Sequence, residues 1–204
     1  VKADVAIVST TSSVRETRNQ VLDLVKRGLH VVTTCEEMAS PGASSASAFR
    51  EIDRLAKSKR VSVLGTGVNP GFLMDFLPSV MTGVCQNVRK IVVRRVQDAS
   101  DRRISFQQKI GAGLTRSEFR KRKAAGTLRH VGLAESVAMI GDALGWKLER
   151  ITDEIQPMIA KTRVESRFLR VEVGRVCGIS QDGVGYREGR PAIVLHMEAY
   201  LGAP

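Results

Sequence analysis

Residues 62–78 read SVLGTGVNPGFLMDFLP, and this stretch indicates the fold class of the chain. A short apolar run ends at Gly65, a turn rich in glycine follows, and apolar residues then resume at helical spacing. Gly65, Gly67 and Gly71 have the spacing G-x-G-x-x-x-G, which is close to the glycine fingerprint of a dinucleotide-binding turn. The stretch therefore predicts a strand, a tight turn and the start of a helix in an α/β protein.

Two similar units precede this one. The run from Asp4 to Ser9 predicts a buried strand, and HVVTT from His30 predicts a second strand. A helix is predicted after Ser13, where Glu16 completes a capping-box pattern, and another over 46–59. Short apolar strands that alternate with helices predict a parallel sheet with right-handed crossovers.

The position of the glycine turn argues against a pyrophosphate site. A true fingerprint follows the first strand, and an acidic residue about 20 positions later binds the ribose. Here the third glycine comes one residue late, and the region around residue 91 reads KIVVRR without an acid. We predict a later turn of the same sheet, near the nicotinamide end of a dinucleotide, with a purely structural turn as the alternative. Asn69 and Pro70 are predicted to be the N-cap and first residue of the helix that follows.

The second half of the chain has a different character. A strand core is predicted at Ile91 to Val96, a glycine-containing loop at FQQKIGAGL, and a capped basic helix after Thr115. A helix over GLAESVAMIGDALGW follows, and strands with turns around 181–183 and 187–191 complete the chain. The predicted architecture is a Rossmann-type parallel sheet in residues 1–70, followed by an α+β domain for substrate binding and dimerisation in residues 71–204.

Composition restricts the possible partners. The 204 residues carry a net charge of +11, which favours anionic partners, but only 4% are aromatic, which argues against base stacking on nucleic acid. No apolar run approaches the ~20 residues of a membrane span. The three cysteines and three histidines are scattered, so no metal site or disulfide is predicted, and a cytoplasmic location is expected.

Five blocks, in order, resemble one enzyme family: VVTTCEEMASP, GTGVNPGFLMDFLP, VQDAS, FQQKIGAGLT and GTLRHVGLAES. They are similar to the 2,4-diaminopentanoate dehydrogenase family, which is related to dihydrodipicolinate reductases and NAD(P)-dependent amine dehydrogenases. The resemblance implies a homodimer that uses NADP or NAD in the reversible oxidative deamination of an amine or amino acid. It also implies that the family's first βαβ element, with its G-x-G-x-x-G turn, would precede Val1.

Glu36 and Glu37 are the candidate proton-handling carboxylates, at the carboxyl end of the second predicted strand. Deamination needs a base, and partial burial can tune a carboxylate for this task. Neighbouring residues on an extended chain face opposite ways, so only one of them can point inward. The resemblance favours Glu36 or Glu37, and we prefer Glu36. A solvated acidic pair or a helix cap is the structural alternative.

Further candidates surround this corner. Cofactor contacts are predicted at the strand ends, from Thr10, Thr11, Cys35, Gly67, Asn69 and Pro70. Lys109, predicted to be catalytic, is a candidate to form an anion or carboxylate cradle with Gly111 and Gly113, whose backbone N–H groups would bind the anion, and a flexible interdomain loop is the equal alternative. His130 is a candidate proton donor in the substrate pocket, while His30 and His196 are predicted to be structural.

Three functional hypotheses therefore remain open. The first is an NAD(P)-dependent enzyme acting on an amine or amino acid, or a related C=N reductase. The second is a truncated, non-catalytic relative that retains the dimerisation domain. The third and weakest is a basic nucleic-acid binder, which the capped helix with charges between 116 and 129 would serve. A solvated helix face is the simpler explanation of those charges.

Overall fold

A three-stranded parallel sheet forms the first part of the fold, as the alternating sequence predicts. The computed structural model describes residues 2–40, 46–128 and 131–203. The strands are β1 (Val5–Val8), β2 (His30–Thr33) and β3 (Val63–Gly65), in the order β1-β2-β3. Val8 pairs with Thr33, and Thr33 pairs with Gly65, so all three strands end at one edge.

Two helices cover one face of this sheet. They are α1 (Val14–Lys26) and α2 (Ala46–Lys59), and the bounds of α2 are those that the sequence predicts. Apolar side chains at helical spacing pack against the strands in one core. Gly28, at a φ of +79°, follows the end of α1. The buried members of this core are Val8, Val14, Val21, Leu22, Val25, Val31, Cys35, Met38, Ala48, Ile52 and Ala56.

Side chains on the opposite face of the sheet are exposed, which corrects one expectation. The first strand was predicted to be buried, but Val5 and Ile7 are 52% and 76% exposed, and Leu64 is 55% exposed. Val8, on the helix side, is buried. The reason is that α1 and α2 shield only the alternate side chains that point toward them.

Turns and short helices connect β3 to the second sheet. The helix that was predicted to begin at Pro70 begins six residues later, as α3 (Phe76–Met81), and a 3-10 turn follows at Thr82–Val84. Asp75 is its N-cap, so the prediction that Asn69 fills this position is wrong. The local cause is that Asp75 accepts a hydrogen bond from the Phe76 amide.

The remaining strands form a four-stranded sheet and a small antiparallel pair. The large sheet has the order β4-β9-β8-β5, and β6 pairs with β7. The turn near 187–191 is confirmed as the β8–β9 connection, whereas the turn predicted at 181–183 is wrong because β8 continues through it. These strands are β4 (Ile91–Asp98), β5 (Arg150–Ile159), β6 (Val164–Glu165), β7 (Arg170–Val171), β8 (Val176–Arg187) and β9 (Arg190–Tyr200).

Three more helices lie in the described part of the chain: α4 (Ile104–Lys109), α5 (Arg116–Ala124) and α6 (Leu133–Ala143). The capping box at the start of α5 is confirmed, since Thr115 and Glu118 exchange both hydrogen bonds. The stretch FQQKIGAGL is only partly the predicted loop, because its first four residues belong to α4.

The chain divides into two compact units. The first comprises Val1–Ile91, Val131–Ile151 and Gly185–Ile193, and the second comprises Val92–His130, Thr152–Val184 and Val194–Pro204. The functional division into residues 1–70 and 71–204 remains a prediction. Among the described residues, no helix is long and apolar enough to cross a membrane.

Candidate active site

The carboxyl ends of β1, β2 and β3 meet in the first unit. The Thr34 amide donates to the Val8 carbonyl at 3.0 Å, and the Thr66 amide donates to the Thr33 carbonyl at 2.9 Å. The polar turns that follow the three strands are therefore held side by side. In open parallel sheets this edge is where ligands bind.

Glu37, in the turn after β2, caps helix α1. Its Oε2 accepts a 2.9 Å hydrogen bond from the Val14 amide, and its own amide approaches the Ser12 carbonyl at 3.4 Å. A carboxylate at a helix N-terminus satisfies a free N–H group and complements the helix dipole. The capping box predicted within 13–16 is therefore wrong: Ser13 makes no side-chain cap bond, and Glu16 accepts instead from the Thr11 hydroxyl at 2.6 Å.

Glu36 begins a 3-10 turn, Glu36–Met38, and is half-buried. Because Glu37 serves α1, Glu36 is the carboxylate of the pair that the helix cap does not use. A Cβ atom added to Gly132, the residue before α6, would lie 3.3 Å from the Glu36 Cβ and would collide with the Pro70 ring. Glu36, Pro70 and the start of α6 therefore lie in one neighbourhood of the first unit.

Glycine permits the close packing of this neighbourhood. A side chain at Gly65 would collide with the Met38 backbone, so this glycine lets β3 approach the 3-10 turn. Gly71 has a φ of +126°, and a Cβ there would collide with the Gly67 amide nitrogen. The spacing G-x-G-x-x-x-G is thus explained by a turn that folds back tightly on itself.

A buried carboxylate ties this turn to α6. Asp75 is fully buried and accepts hydrogen bonds from the amides of Gly71, at 2.9 and 3.1 Å to its two oxygens, and Phe76, at 2.6 Å. The Ser136 hydroxyl of α6 donates to Asp75 Oδ2 at 2.7 Å. The sequence offered no local signal for this partnership, because the two residues are 61 positions apart.

Asn69 lies in the same turn, but its side chain, unlike that of Asp75, makes no hydrogen bond to the described residues. Its side-chain Oδ1 and Nδ2 are both buried, and neither has a hydrogen-bond partner among the described residues. A primary amide can donate two hydrogen bonds and accept two, so burying it unpaired is unfavourable. Such an exception in a folded chain is a candidate ligand contact.

The other predicted cofactor residues are engaged within the chain. The Thr10 hydroxyl donates to Gln20 at 2.9 Å, and the Thr11 hydroxyl accepts from the Ser13 amide at 3.3 Å. Cys35 is buried, and burial raises the pKa of its thiol, so it is present as a neutral apolar group. These residues position the edge of the sheet, and their contact with a cofactor remains a prediction.

Lys109, Gly111 and Gly113 lie together in the second unit. Lys109 is the exposed last residue of α4, and the two glycines form the turn after it. The Gly111 amide donates to the Gln108 carbonyl at 3.0 Å, and the Gly113 amide donates to the Val176 carbonyl at 2.8 Å. The backbone cradle expected here is therefore wrong, because its N–H groups already have partners. His130 lies outside the described residues.

His196 of β9 lies between two carboxylates of the second unit. Its Nδ1 is 2.7 Å from Asp182 Oδ1, and its Nε2 is 2.9 Å from Glu198 Oε1. Burial lowers the pKa of His196, but the hydrogen bonds to Glu198 and Asp182 outweigh it, so the pKa is raised. Within the described parts of the chain, no group of three or more His, Cys, Asp or Glu residues could hold a metal ion.

Sequence comparison and structural comparison give a consistent result. A curated 2,4-diaminopentanoate dehydrogenase from Acetoanaerobium sticklandii is 41% identical over 189 residues, which are 92% of this chain and 54% of that protein. The amine dehydrogenase of Mycobacterium smegmatis superposes with a TM-score of 0.84 at 21% identity, over 98% of this chain and 60% of that one. A biliverdin reductase from Synechocystis, solved with biliverdin and NADP+, gives a TM-score of 0.51 at 12% identity, over 98% and 54%.

The structural likenesses confirm the predicted fold class, a Rossmann-type sheet with a second α+β part. The chain spans about half the length of the curated relative that it matches. The family model described as the 2,4-diaminopentanoate dehydrogenase C-terminal domain matches residues 72–199, which is more than half of the chain. The resemblance inferred from the five sequence blocks is therefore confirmed, and the chain belongs to the 2,4-diaminopentanoate dehydrogenase family.

Proposed function

We propose that the chain is part of an NAD(P)-dependent oxidoreductase that catalyses the reversible oxidative deamination of an amine or amino acid. The observation that carries the proposal is the position of Glu36, at the ligand-binding edge of a parallel sheet and beside the Asn69–Gly71 turn. The names of the relatives support this reaction class, since one is a 2,4-diaminopentanoate dehydrogenase and another an amine dehydrogenase.

The residues present suit a nicotinamide dinucleotide, either NADP or NAD. The unpaired amide of Asn69 offers hydrogen bonds that the free chain leaves unmade. Pro70, Cys35 and the two threonines after β1 would shape the rest of the contact surface. When bound, the nicotinamide supplies the hydride acceptor for the carbon that bears the amine.

Glu36 is proposed to move the protons of the reaction. Its carboxylate takes a proton from the substrate ammonium, so that the nitrogen lone pair can assist departure of the hydride and leave a protonated imine, and Glu36 then releases this proton to solvent. The carboxylate next accepts a proton from the water that attacks the imine carbon, and returns it to the nitrogen so that ammonium leaves as the carbonyl forms. Overall, the protonated amine, NAD(P)+ and water give carbonyl compound, ammonium, NAD(P)H and a proton. Glu37, bound to α1, holds the corner from which Glu36 acts.

A pair of matched variants tests this assignment. Glu36→Gln is expected to lower kcat for amine-dependent NAD(P)+ reduction by about 10²- to 10⁴-fold, because proton transfer is lost while the shape is kept. Glu37→Gln is the control, expected to lower the free energy of unfolding by about 1 kcal/mol through the helix cap, with a smaller loss of kcat. A flat titration of the unaltered chain with NADH and NADPH up to millimolar concentration would refute the proposal.

Lys109 is retained as the proposed contact for a substrate carboxylate, on the basis of its exposed ammonium group. Gly111 and Gly113 would shape the turn beside it without using their N–H groups. Lys109→Met is expected to raise KM for an amino acid by about tenfold and to leave KM for a simple amine unchanged, because only the acid has a carboxylate. Equal effects on both substrates would show that Lys109 does not bind the substrate carboxylate.

A homodimer and a cytoplasmic location complete the proposal. The exposed apolar side chains around α3, including Phe76 at 55% and Met81 at 65% exposure, are compatible with burial in an interface. Sedimentation equilibrium of the unaltered chain measures its mass in solution. A single species at the mass of one chain across the micromolar range would contradict the dimer.

A further inference from the structure

Asn69 differs from the other polar side chains at the edge of the first sheet. Among the described residues it is the only one whose side chain has two buried polar atoms without a hydrogen-bond partner. Two backbone amides of the same turn have partners: the Gly71 amide donates to Asp75, and the Leu73 amide donates to the Val68 carbonyl at 2.9 Å. The Asn69 side chain is in contrast unpaired at both of its polar atoms.

The backbone around Asn69 is held firmly. Pro70 is buried against Gly132, Gly71 folds back against Gly67, and Asp75 connects the turn to Ser136 of α6. The residue Asn69 as a whole is only half-buried, so rotation about its side-chain bonds can bring the amide to the surface without moving the backbone. A fixed backbone that carries one rotatable, unsatisfied amide is suited to binding a small polar group.

The chemistry of the amide restricts what that group can be. An ammonium has only donors and a carboxylate only acceptors, so either would leave one atom of the Asn69 side chain unpaired. A group that presents a donor and an acceptor on neighbouring atoms satisfies both at once. In a nicotinamide dinucleotide, the primary carboxamide of the nicotinamide and the amino edge of adenine have this pattern.

We propose that Asn69 binds the carboxamide of the nicotinamide ring through a pair of hydrogen bonds, and so fixes the face of the ring that receives the hydride. This inference rests on the proposed function and adds to it a positioning role for one residue. Pro70, the next residue in the chain, lies against Gly132 as Glu36 does, and this neighbourhood favours the nicotinamide over the adenine, because the ring must lie near the group that handles the substrate protons.

Dinucleotide analogues test the contact without measuring turnover. Calorimetry compares the Kd of the unaltered chain for NADH, for its 3-acetylpyridine analogue, which replaces the amide NH₂ with methyl, and for its hypoxanthine analogue, which lacks the adenine amino group. The acetylpyridine analogue is expected to bind about tenfold more weakly than NADH, since it leaves the Asn69 oxygen unpaired. The hypoxanthine analogue is expected to bind as NADH does.

The variant Asn69→Leu completes the cycle. It is nearly isosteric, and it should weaken NADH binding by about tenfold and bind NADH and the acetylpyridine analogue within about twofold of each other. Asn87→Leu, a change of the same type at an exposed position, should preserve the discrimination. In ¹⁵N-labelled chain, the side-chain NH₂ resonance that disappears in Asn69→Leu should shift with NADH and not with the acetylpyridine analogue.

The outcomes separate this inference from the proposed function. Equal binding of all three dinucleotides by the unaltered chain, or discrimination that survives in Asn69→Leu, overturns the role of Asn69 and leaves the oxidoreductase proposal standing. Discrimination against the hypoxanthine analogue alone assigns the amide to adenine and overturns the nicotinamide contact. Absence of binding to any of the three overturns both proposals for this chain.

Discussion

The buried link between Asp75 and Ser136 gives the sharpest prediction for stability. Asp75→Ala removes the acceptor of the Gly71 amide, the Phe76 amide and the Ser136 hydroxyl. Hydrogen bonds to a charged group contribute about 1.5–3 kcal/mol each, and such contributions in one network are not additive. We therefore expect a loss of about 4 kcal/mol in the free energy of unfolding, or roughly 8–16 °C in Tm for a chain of this length.

Urea denaturation followed by circular dichroism measures this loss, and Ser136→Ala supplies the second arm. Removing the serine hydroxyl should lower the free energy of unfolding by about 2 kcal/mol, since one charged hydrogen bond is lost. The double variant should lose about 1–2 kcal/mol less than the sum, because the two residues share that bond. Asp53→Ala, which removes only an exposed pair with Lys57, should stay within about 0.5 kcal/mol. A loss below about 1 kcal/mol for Asp75→Ala, or full additivity in the double variant, would refute the reasoning.

Three further predictions use other parts of the chain. The pKa of His196 is raised, so its contribution to stability is complete below about pH 6.5 and is lost as pH rises through the folded pKa. Above about pH 6.5, Tm should therefore fall with rising pH in the unaltered chain and fall less in His196→Asn, and equal slopes would contradict the pairing. Exposed Cys85 should react with a thiol reagent far faster than the two buried cysteines, and Cys85→Ser should remove the fast phase if this assignment is correct. Gly71→Ala should lower the free energy of unfolding by about 3 kcal/mol through its positive φ and the collision with Gly67, whereas Gly83→Ala, which meets open space, should change it by less than about 1 kcal/mol; similar effects in urea denaturation would show that the turn is not tight.

Local sequence patterns predicted the secondary structure well where local forces decide it. Helix α2 has the predicted bounds, and the Thr115 capping box forms both of its hydrogen bonds. In each case the pattern lies within one or two turns of helix, where side-chain spacing and capping are the main determinants. The parallel sheet follows from the same spacing, because three short strands separated by helices have few alternative topologies.

The prediction failed where a distant residue competes for a local role. Glu37 caps α1 from 23 positions away, so Ser13 and Glu16 do not form the expected capping box. Asp75, which also accepts a hydrogen bond from Ser136 of α6, is the N-cap of α3, so Asn69 does not fill the predicted N-cap position. Sequence spacing does not reveal that Glu37 pairs with the start of α1 or that Asp75 pairs with Ser136, because only the tertiary structure brings these residues together.

The sequence predicted that the turns after the three parallel strands lie together, but not how the residues within these turns contact one another. Parallel topology alone places the turns after β1, β2 and β3 next to one another. Spacing could not assign different roles to Glu36 and Glu37, since both follow the same strand. The sequence did not predict that Gly132 packs against Pro70 and Glu36, because its local context indicates only the start of a helix.

The closely packed glycines restrict how the protein could be redesigned. At Gly65, Gly71 and Gly132 any added Cβ atom would overlap a neighbouring atom, so a mutagenesis library should leave these three residues unchanged. Val68 and Phe72 lie in the same turn with 63% and 48% of their surfaces exposed, and neither is committed to the core. Substitutions at these two positions would change the exposed surface of the turn, while the backbone packed around the three glycines keeps its geometry.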